Sequence, residues 1–422
     1  MSVAVDAGAG ATTVPPDRTR RPRTWLSVLL VLLGLLVLLS ALRLLTGADE
    51  ISSSGTIAAT LAAAIPIGLA GLGGLWSERA GVVNIGLEGM MILGTFGAGY
   101  LGYFYSPWQG VVGAAVFGAA GGLLHAIATV GFGVDHIVSG VAVNIISLGA
   151  VQYLAAQSFT GVEGGGATQS PTIGDLPSIT IDGLSDPLGD VEDNGWFLVS
   201  EVAALLRALV TNLSVFTLIA LALFALTYVV LWRTSFGLRL RSCGESPEAA
   251  ESLGVNVLRY KYIAVVVSGA LAGLGGGFLA LVASSTFRDG QTGGRGYIGL
   301  ASMIFGNWRP GGLLTGAGLF GYTDTLRLRS GGESVHALLL LLAVLLLAIA
   351  VWQWRRGEKV AAAVSVFIAA GAALWFLLSD TVPGDFTGMT PYVTTLLVLA
   401  LASQRLRMPA ADGRPYRRGS AG

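Results

Sequence analysis

Few residues of this 422-residue chain could do covalent or metal chemistry. There is one cysteine, Cys243, and there are three histidines, His125, His136 and His336. A lone thiol can form neither an intrachain disulfide nor a thiolate metal site. There is no H-E-x-x-H and no C-x-x-C, and neither lysine stands in the G-K-[ST] of a P-loop: Lys261 follows Tyr260 and Lys359 follows Glu358. The histidines lie in or beside apolar stretches and offer no Ser–His–Asp arrangement. No cofactor or metal is expected on this chain, and ATP-driven work would need a separate ATPase subunit. What remains is a handful of polar residues in apolar surroundings: Asn84 and Glu88, then Ser139, Asn144, Ser147 and Gln152. Polar groups in hydrocarbon are costly unless partnered, so such residues either line a path for a polar solute or bond a neighbouring helix. Asn84 and Glu88 stand four apart and would share one helical face. Gly86 and Gly89 among them also suit a discontinuous helix, whose freed backbone groups can face a solute. Asn144, Ser147 and Gln152 fall near one face of a helix, with Ser139 off it. Asn84, Glu88, Asn144, Ser147 and Gln152 are the candidate pathway residues; Glu88 can equally be a packing residue.

The elements that must hold these residues are membrane spans. Hydrophobic residues make up 53% of the chain and charged residues 12%, about half the ~25% charge of an ordinary soluble domain. A formal net charge of +0 gives no electrostatic footprint for nucleic acid. A bilayer core of about 30 Å takes roughly 20 apolar residues. Apolar stretches occur at 25–45, 57–76, 82–104, 110–131, 137–157, 212–232, 262–283, 297–307, 312–326, 335–354, 361–378 and 391–404. Several are short or interrupted by Gly and Pro. They predict an all-α polytopic membrane protein of ten to twelve transmembrane helices, some discontinuous. The first stretch is too long for a signal peptide and lacks a cleavage site, so it reads as an uncleaved span.

Charge sets the orientation. Arg18, Arg20, Arg21 and Arg23 precede the first span, so 1–24 is expected to be a cytoplasmic tail. The 158–210 loop then falls outside, with eight acids and only Arg207 as a base. The 233–261 loop falls inside with Arg233, Arg239, Arg241, Arg259 and Lys261, and so does the tail 405–422 with its five arginines. The membrane-spanning body is expected over 25–404, with both termini cytoplasmic. The outer loop is rich in Gly, Pro, Ser and Asp from 160 to 195 and reads as irregular, with a short interfacial helix from Trp196 to Val210.

Two stretches carry further information. In Ser246-Pro247-Glu248-Ala249-Ala250-Glu251-Ser252-Leu253-Gly254, Ser246 can cap a helix, Pro247 suits its first position, Glu248 and Glu251 favour its positive end, and Gly254 can end it. The pattern Glu248-Ala249-Ala250-x-x-x-Gly254 resembles the E-A-A-x-x-x-G loop of ABC-importer permeases. The stretch Ser77-Glu78-Arg79-Ala80-Gly81-Val82-Val83-Asn84-Ile85-Gly86-Leu87-Glu88-Gly89-Met90-Met91 resembles the segment that marks nucleoside and simple-sugar ABC permeases, within the branched-chain amino acid and ribose permease superfamily. Ser268 to Gly276, Gly294 to Ala301 and Ile304 to Pro310 also look like this family.

The resemblance implies a permease subunit of a bacterial ABC importer in the plasma membrane, working by alternating access on a nucleoside or a related sugar-bearing solute. It implies several partners: an ABC ATPase subunit, double-headed in such systems; a second homologous permease forming a heterodimer; and an extracytoplasmic substrate-binding lipoprotein. It makes 246–254 the helix that seats on the ATPase, so an arginine at Ala250 or Leu253 is expected to uncouple transport. The rival reading from the residues is an ion-coupled secondary transporter of a small polar solute. Ile85-Gly86-Leu87-x-x-Met90 recurs as Ile298-Gly299-Leu300-x-x-Met303, a candidate inverted repeat. Glu78 and Arg79 are expected to form an interfacial charged pair, and Trp308 and Trp352 to anchor at the interface.

Overall fold

The computed structural model describes residues 24–329, 331–387, 389, 406–417 and 419. The chain is mostly helical. It opens with α1 (Thr24–Thr46), α2 (Ser54–Arg79), α3 (Leu87–Phe104), α4 (Pro107–Ala126) and α5 (His136–Phe159). The long connection between α5 and the next long helix carries a two-stranded antiparallel ribbon of β1 (Ser178–Ile179) and β2 (Leu213–Ser214), which encloses α6 (Asp182–Asp193) and α7 (Val199–Val210). Then follow α8 (Val215–Arg233), α9 (Ser235–Glu245), α10 (Pro247–Ser252), α11 (Val257–Phe278), α12 (Arg295–Phe305), α13 (Pro310–Arg329), α14 (Gly331–Arg355) and α15 (Lys359–Leu378). Among the described residues, seven helical stretches are long and apolar enough to cross a membrane: Asp49–Arg79, Pro107–Gly131, His136–Phe159, Val215–Arg233, Val257–Ala283, Gly331–Arg355 and Lys359–Leu378. The expected span at 391–404 lies outside the described residues.

The core is built on α2 and α11. Both are apolar around their whole circumference, which suits a helix surrounded by others. α11 lies along α4, α2 and α3; α12 and α13 cover α2; α14 and α15 pair with each other and reach the core through α13. The α4–α11 contact is set by glycine. A Cβ on Gly269 would overlap the Gly118 carbonyl, and one on Gly273 would overlap that of Ala114. Bare backbone on both sides lets the two helices approach to direct contact, the small-residue packing of membrane interiors.

Three expectations change here. The stretch 82–104 is not one helix, because α3 begins only at Leu87 and 80–86 is irregular. The 158–210 loop, expected to lie outside, is more ordered than its composition indicated. Residues 182–193 form α6 in spite of Pro187, with the Arg207 guanidinium packed on Gly189 and paired to Glu192 at 3.1 Å. The helix placed at 196–210 starts at Val199, since Gly195 and Leu198 both take positive φ and turn the chain. A buried ion pair, Arg43 to Glu201 at 3.0 Å, ties α1 to this loop.

The glycine contact predicts a contrast. Gly273→Ala should destabilise the protein by about 1–3 kcal/mol, since two backbones must part to admit one methyl. Gly371→Ala on α15, which meets nothing within 4 Å, should leave stability unchanged. Thermal unfolding of the two detergent-purified variants checks this.

Candidate translocation site and cytoplasmic coupling surface

The break between α2 and α3 places free peptide groups inside the protein. In such surroundings each must find a partner, and side chains from four helices supply them. Ser77 Oγ donates to the Val82 carbonyl at 2.6 Å. Lys261 Nζ donates to the Gly81 carbonyl at 3.2 Å. His125 Nε2 meets the Val83 carbonyl at 3.0 Å, and its Nδ1 meets Ser139 Oγ at 2.8 Å. A carbonyl only accepts, so Nε2 carries the proton and Nδ1 takes the serine hydroxyl's. His136 Nδ1 accepts from Val83 N at 3.3 Å. Asn84 Oδ1 accepts from Gly86 N at 3.0 Å, and its Nδ2 donates to Ser268 Oγ on α11 at 2.9 Å.

Asn84 therefore does not share a helical face with Glu88. Asn84 lies in the break, and Glu88 lies in the first turn of α3. Glu88 reaches a second break, the segment 284–294 before α12. Its two carboxylate oxygens accept from Gly294 N at 2.9 Å and Gly296 N at 2.7 Å. These are free N–H groups at the start of α12, where the helix dipole also favours a negative charge. Glycine is required at 296, because a Cβ there would lie 2.6 Å from the Glu88 backbone.

Asn144 joins the two breaks. Its Oδ1 accepts from Gly89 N at 2.7 Å; its Nδ2 donates to the Ile85 carbonyl at 3.1 Å and to Tyr297 Oη on α12 at 2.9 Å. Ser147 is buried on the same side of α5, facing Gly89. Asn84, Glu88, Asn144 and Ser147 thus converge on Ile85–Gly89. Gln152 does not. It is exposed and donates to Asp289 Oδ2 at 2.9 Å, in the 284–294 segment. The two similar segments come together as well: Leu87, Leu300 and Met303 all border Gly74 on α2. Tyr297, Ser268 and Lys261 as partners of this cluster, and the roles of His125 and His136, were not legible in the sequence. The only signal was that each is a polar residue within or beside an apolar run.

On the side of the 233–261 loop, α9 and α10 form a compact shelf. Pro247 opens α10, and Ser246 stands at its cap position. Its carbonyl accepts from Ala250 N at 3.0 Å, but its side chain makes no capping bond. Gly254 has φ +82° and turns the chain out of the helix. Ala250 is buried on Cys243 and Val257, so it faces the protein and an arginine there would disturb folding rather than a partner. Glu248, Ala249 and Ser252 are exposed, Glu251 is half-buried, and Leu253 is 84% exposed.

Glu78 and Arg79 are not a pair. Glu78 takes the indole N–H of Trp308. Arg79 donates to the Trp308 carbonyl at 3.1 and 2.6 Å, and its guanidinium lies over the Trp232 ring. Trp308 is accordingly buried at the α12–α13 turn, not an interface anchor. Trp352 is half-exposed, with Arg356 stacked 3.8 Å from its ring centre.

The family model described as branched-chain amino acid transport system / permease component matches residues 56–351. The chain belongs to that family: it is the membrane permease component of a transport system and not itself an enzyme. It is similar to the guanosine ABC transporter permease protein NupQ of Bacillus subtilis, at 32% identity over 86% of this chain and 96% of the relative. The nucleoside ABC transporter permease protein NupC of Lactococcus lactis is 31% identical over 83% of this chain and 93% of its own. A putative glucose ABC transporter permease protein, TsgC13 of Haloferax volcanii, is 33% identical over 67% and 80%. The same Bacillus and Lactococcus strains hold the more distant NupP and NupB, each 24% identical and each also named an ABC transporter permease protein. No solved structure matches the chain.

The Glu88 clasp makes a graded prediction. Glu88→Ala leaves the Gly294 and Gly296 N–H groups unpaired and should cost about 1–3 kcal/mol. Glu88→Gln keeps one acceptor and should cost less. Unfolding midpoints of both variants test the order; midpoints equal to that of the unsubstituted protein would show that the clasp contributes nothing.

Proposed function

We propose that this chain is one of two homologous permeases in an ATP-driven importer for nucleosides. A loaded binding lipoprotein docks outside, a double-headed ATPase closes inside, and the spans rock between outward- and inward-open states. The observation that carries the solute class is the 32% identity over 96% of a guanosine permease. The relative named for glucose fits the same chemistry, since a nucleoside carries a sugar. Two permeases named for the same solute in one strain support a heterodimer.

The geometry supplies a rationale for alternating access. Two interrupted segments, 80–86 and 284–294, meet across Glu88 and Asn144, so a small movement of α12 against α3 would exchange these bonds for bonds to a polar solute. Asn144 and Tyr297 are only partly covered and are the members of the cluster that a solute can reach. Both α12, which is short, and α13 count as crossings in this reading, which keeps ten to twelve spans and sets the two IGLxxM segments in opposite senses. The basic loops then lie inside, with both termini.

Residues 246–254 form the contact with the ATPase, through Glu248, Ala249, Glu251 and above all Leu253. Two measurements test the proposal. Vesicles holding the complete complex should take up labelled guanosine only with ATP; equal uptake without ATP would leave an ion-coupled carrier instead. Leu253→Arg should abolish ATP-dependent uptake while the protein remains folded, because that side chain touches little of its own chain.

A further inference from the structure

The segment 406–417 crosses the inner ends of four elements. Arg407 N donates to Asn307 Oδ1 at 2.7 Å, in the α12–α13 turn. Ala410 N donates to Glu245 Oε2 at 3.3 Å, and Ala411 N to the Gly244 carbonyl at 2.8 Å, at the end of α9. The Ala411 carbonyl lies on Gly81, and Gly413 lies against Val83, both in the α2–α3 break. Tyr416 packs into the cluster of Cys243, Ala250 and Val257, the underside of α10. A basic tail in solvent would bury no carboxylate, yet Asp412 is 8% exposed. It faces Glu78, with Lys261 and Arg79 beside it. The segment is thus wedged between the proposed ATPase-contact helix and the break that holds the pathway cluster.

We propose that residues 406–416 are a coupling strut that carries movement of α10 to the 80–86 break. This rests on reading α10 as the ATPase contact. α11 joins the same regions through Val257 and Lys261. The strut adds a second link that grips the break's backbone directly. Its grip also depends on pH. Burial raises the Asp412 carboxyl from 3.8 to about 7, against its hydrogen bond with Glu78 and the positive charges of Lys261 and Arg79. The docked segment then binds more protons than the free one, so docking weakens as pH rises through that window and is weakest above it. The groups facing Asp412 and its neighbours are Glu78 and Arg79 of α2, Lys261 of α11 and Glu245 of α9.

The test uses the complete complex with the chain truncated after residue 405, and separately with Asp412→Lys, which sets a third cation beside Lys261 and Arg79. Docking is read from maleimide labelling of Cys243, the sole cysteine, whose thiol burial raises to about 11 and so keeps unreactive. Both variants should label faster, retain the ATPase on purification, and lose about tenfold in uptake per ATP, a typical coupling effect. Asp412→Asn should retain uptake and lose the pH dependence of labelling in excess of the thiolate's own, which the truncated complex reports. Unchanged or increased uptake per ATP in a faster-labelling variant would overturn the strut, as would unaltered labelling or loss of the ATPase from the truncated complex. Leu253→Arg serves as the separate control: if it leaves uptake and hydrolysis unchanged, the α10 reading fails instead.

Discussion

A peptide group inside a membrane protein cannot borrow a partner from water, and the architecture around residues 80–86 answers that constraint. Seven residues leave the helix between α2 and α3, and their N–H and C=O groups are taken up by Ser77, Asn84, His125, His136, Asn144 and Lys261. Those side chains come from α2, α4, α5, α11 and the break itself. Each of these helices is therefore held in register by what the break requires. The close glycine contacts of α4 with α11 bring His125, Ser268 and Lys261 within reach of one another's partners.

The same constraint makes the region easier to rearrange than a regular helix. A regular helix satisfies itself and resists deformation, whereas a break satisfied by side chains can exchange one partner for another at small cost. Glu88 shows the principle at its strongest. It presents two oxygens to the two N–H groups at the start of α12, so the second interrupted segment is clasped by the first. Asn144, bonded to Gly89, Ile85 and Tyr297, spans both. The junction of α2 with the α12–α13 turn repeats the pattern, with Trp308 donating to Glu78 and accepting from Arg79.

Much of this was legible in residue types. Asn84, Glu88, Asn144 and Ser147 stood out because polar residues in apolar runs need partners, and they do converge. Their arrangement was not legible. The period of four between Asn84 and Glu88 implied one helical face, but it holds only if the intervening residues are helical, and they are not. Adjacent opposite charges at Glu78 and Arg79 implied a pair; neighbours in sequence on a helix point apart, and each found Trp308 instead. Ala250 lay within a motif whose small residues were expected to face a partner, yet its side chain closes over Cys243 because α10 is docked on α9.

The amino-acid sequence by itself determined the solvent, the orientation cues, the absence of an ATP-binding loop on this chain, and which rare polar residues had to matter. Composition and charge act locally and survive any arrangement of helices, so they can be read from a string. Only the tertiary structure decided which helix supplies each partner, that α3 begins at Leu87, that Gln152 belongs with Asp289 rather than with the Glu88 cluster, and that Asp412 is buried beside Glu78. Those outcomes depend on the meeting of residues far apart in the chain, 206 positions apart for Glu88 and Gly294, and no spacing rule reaches that far.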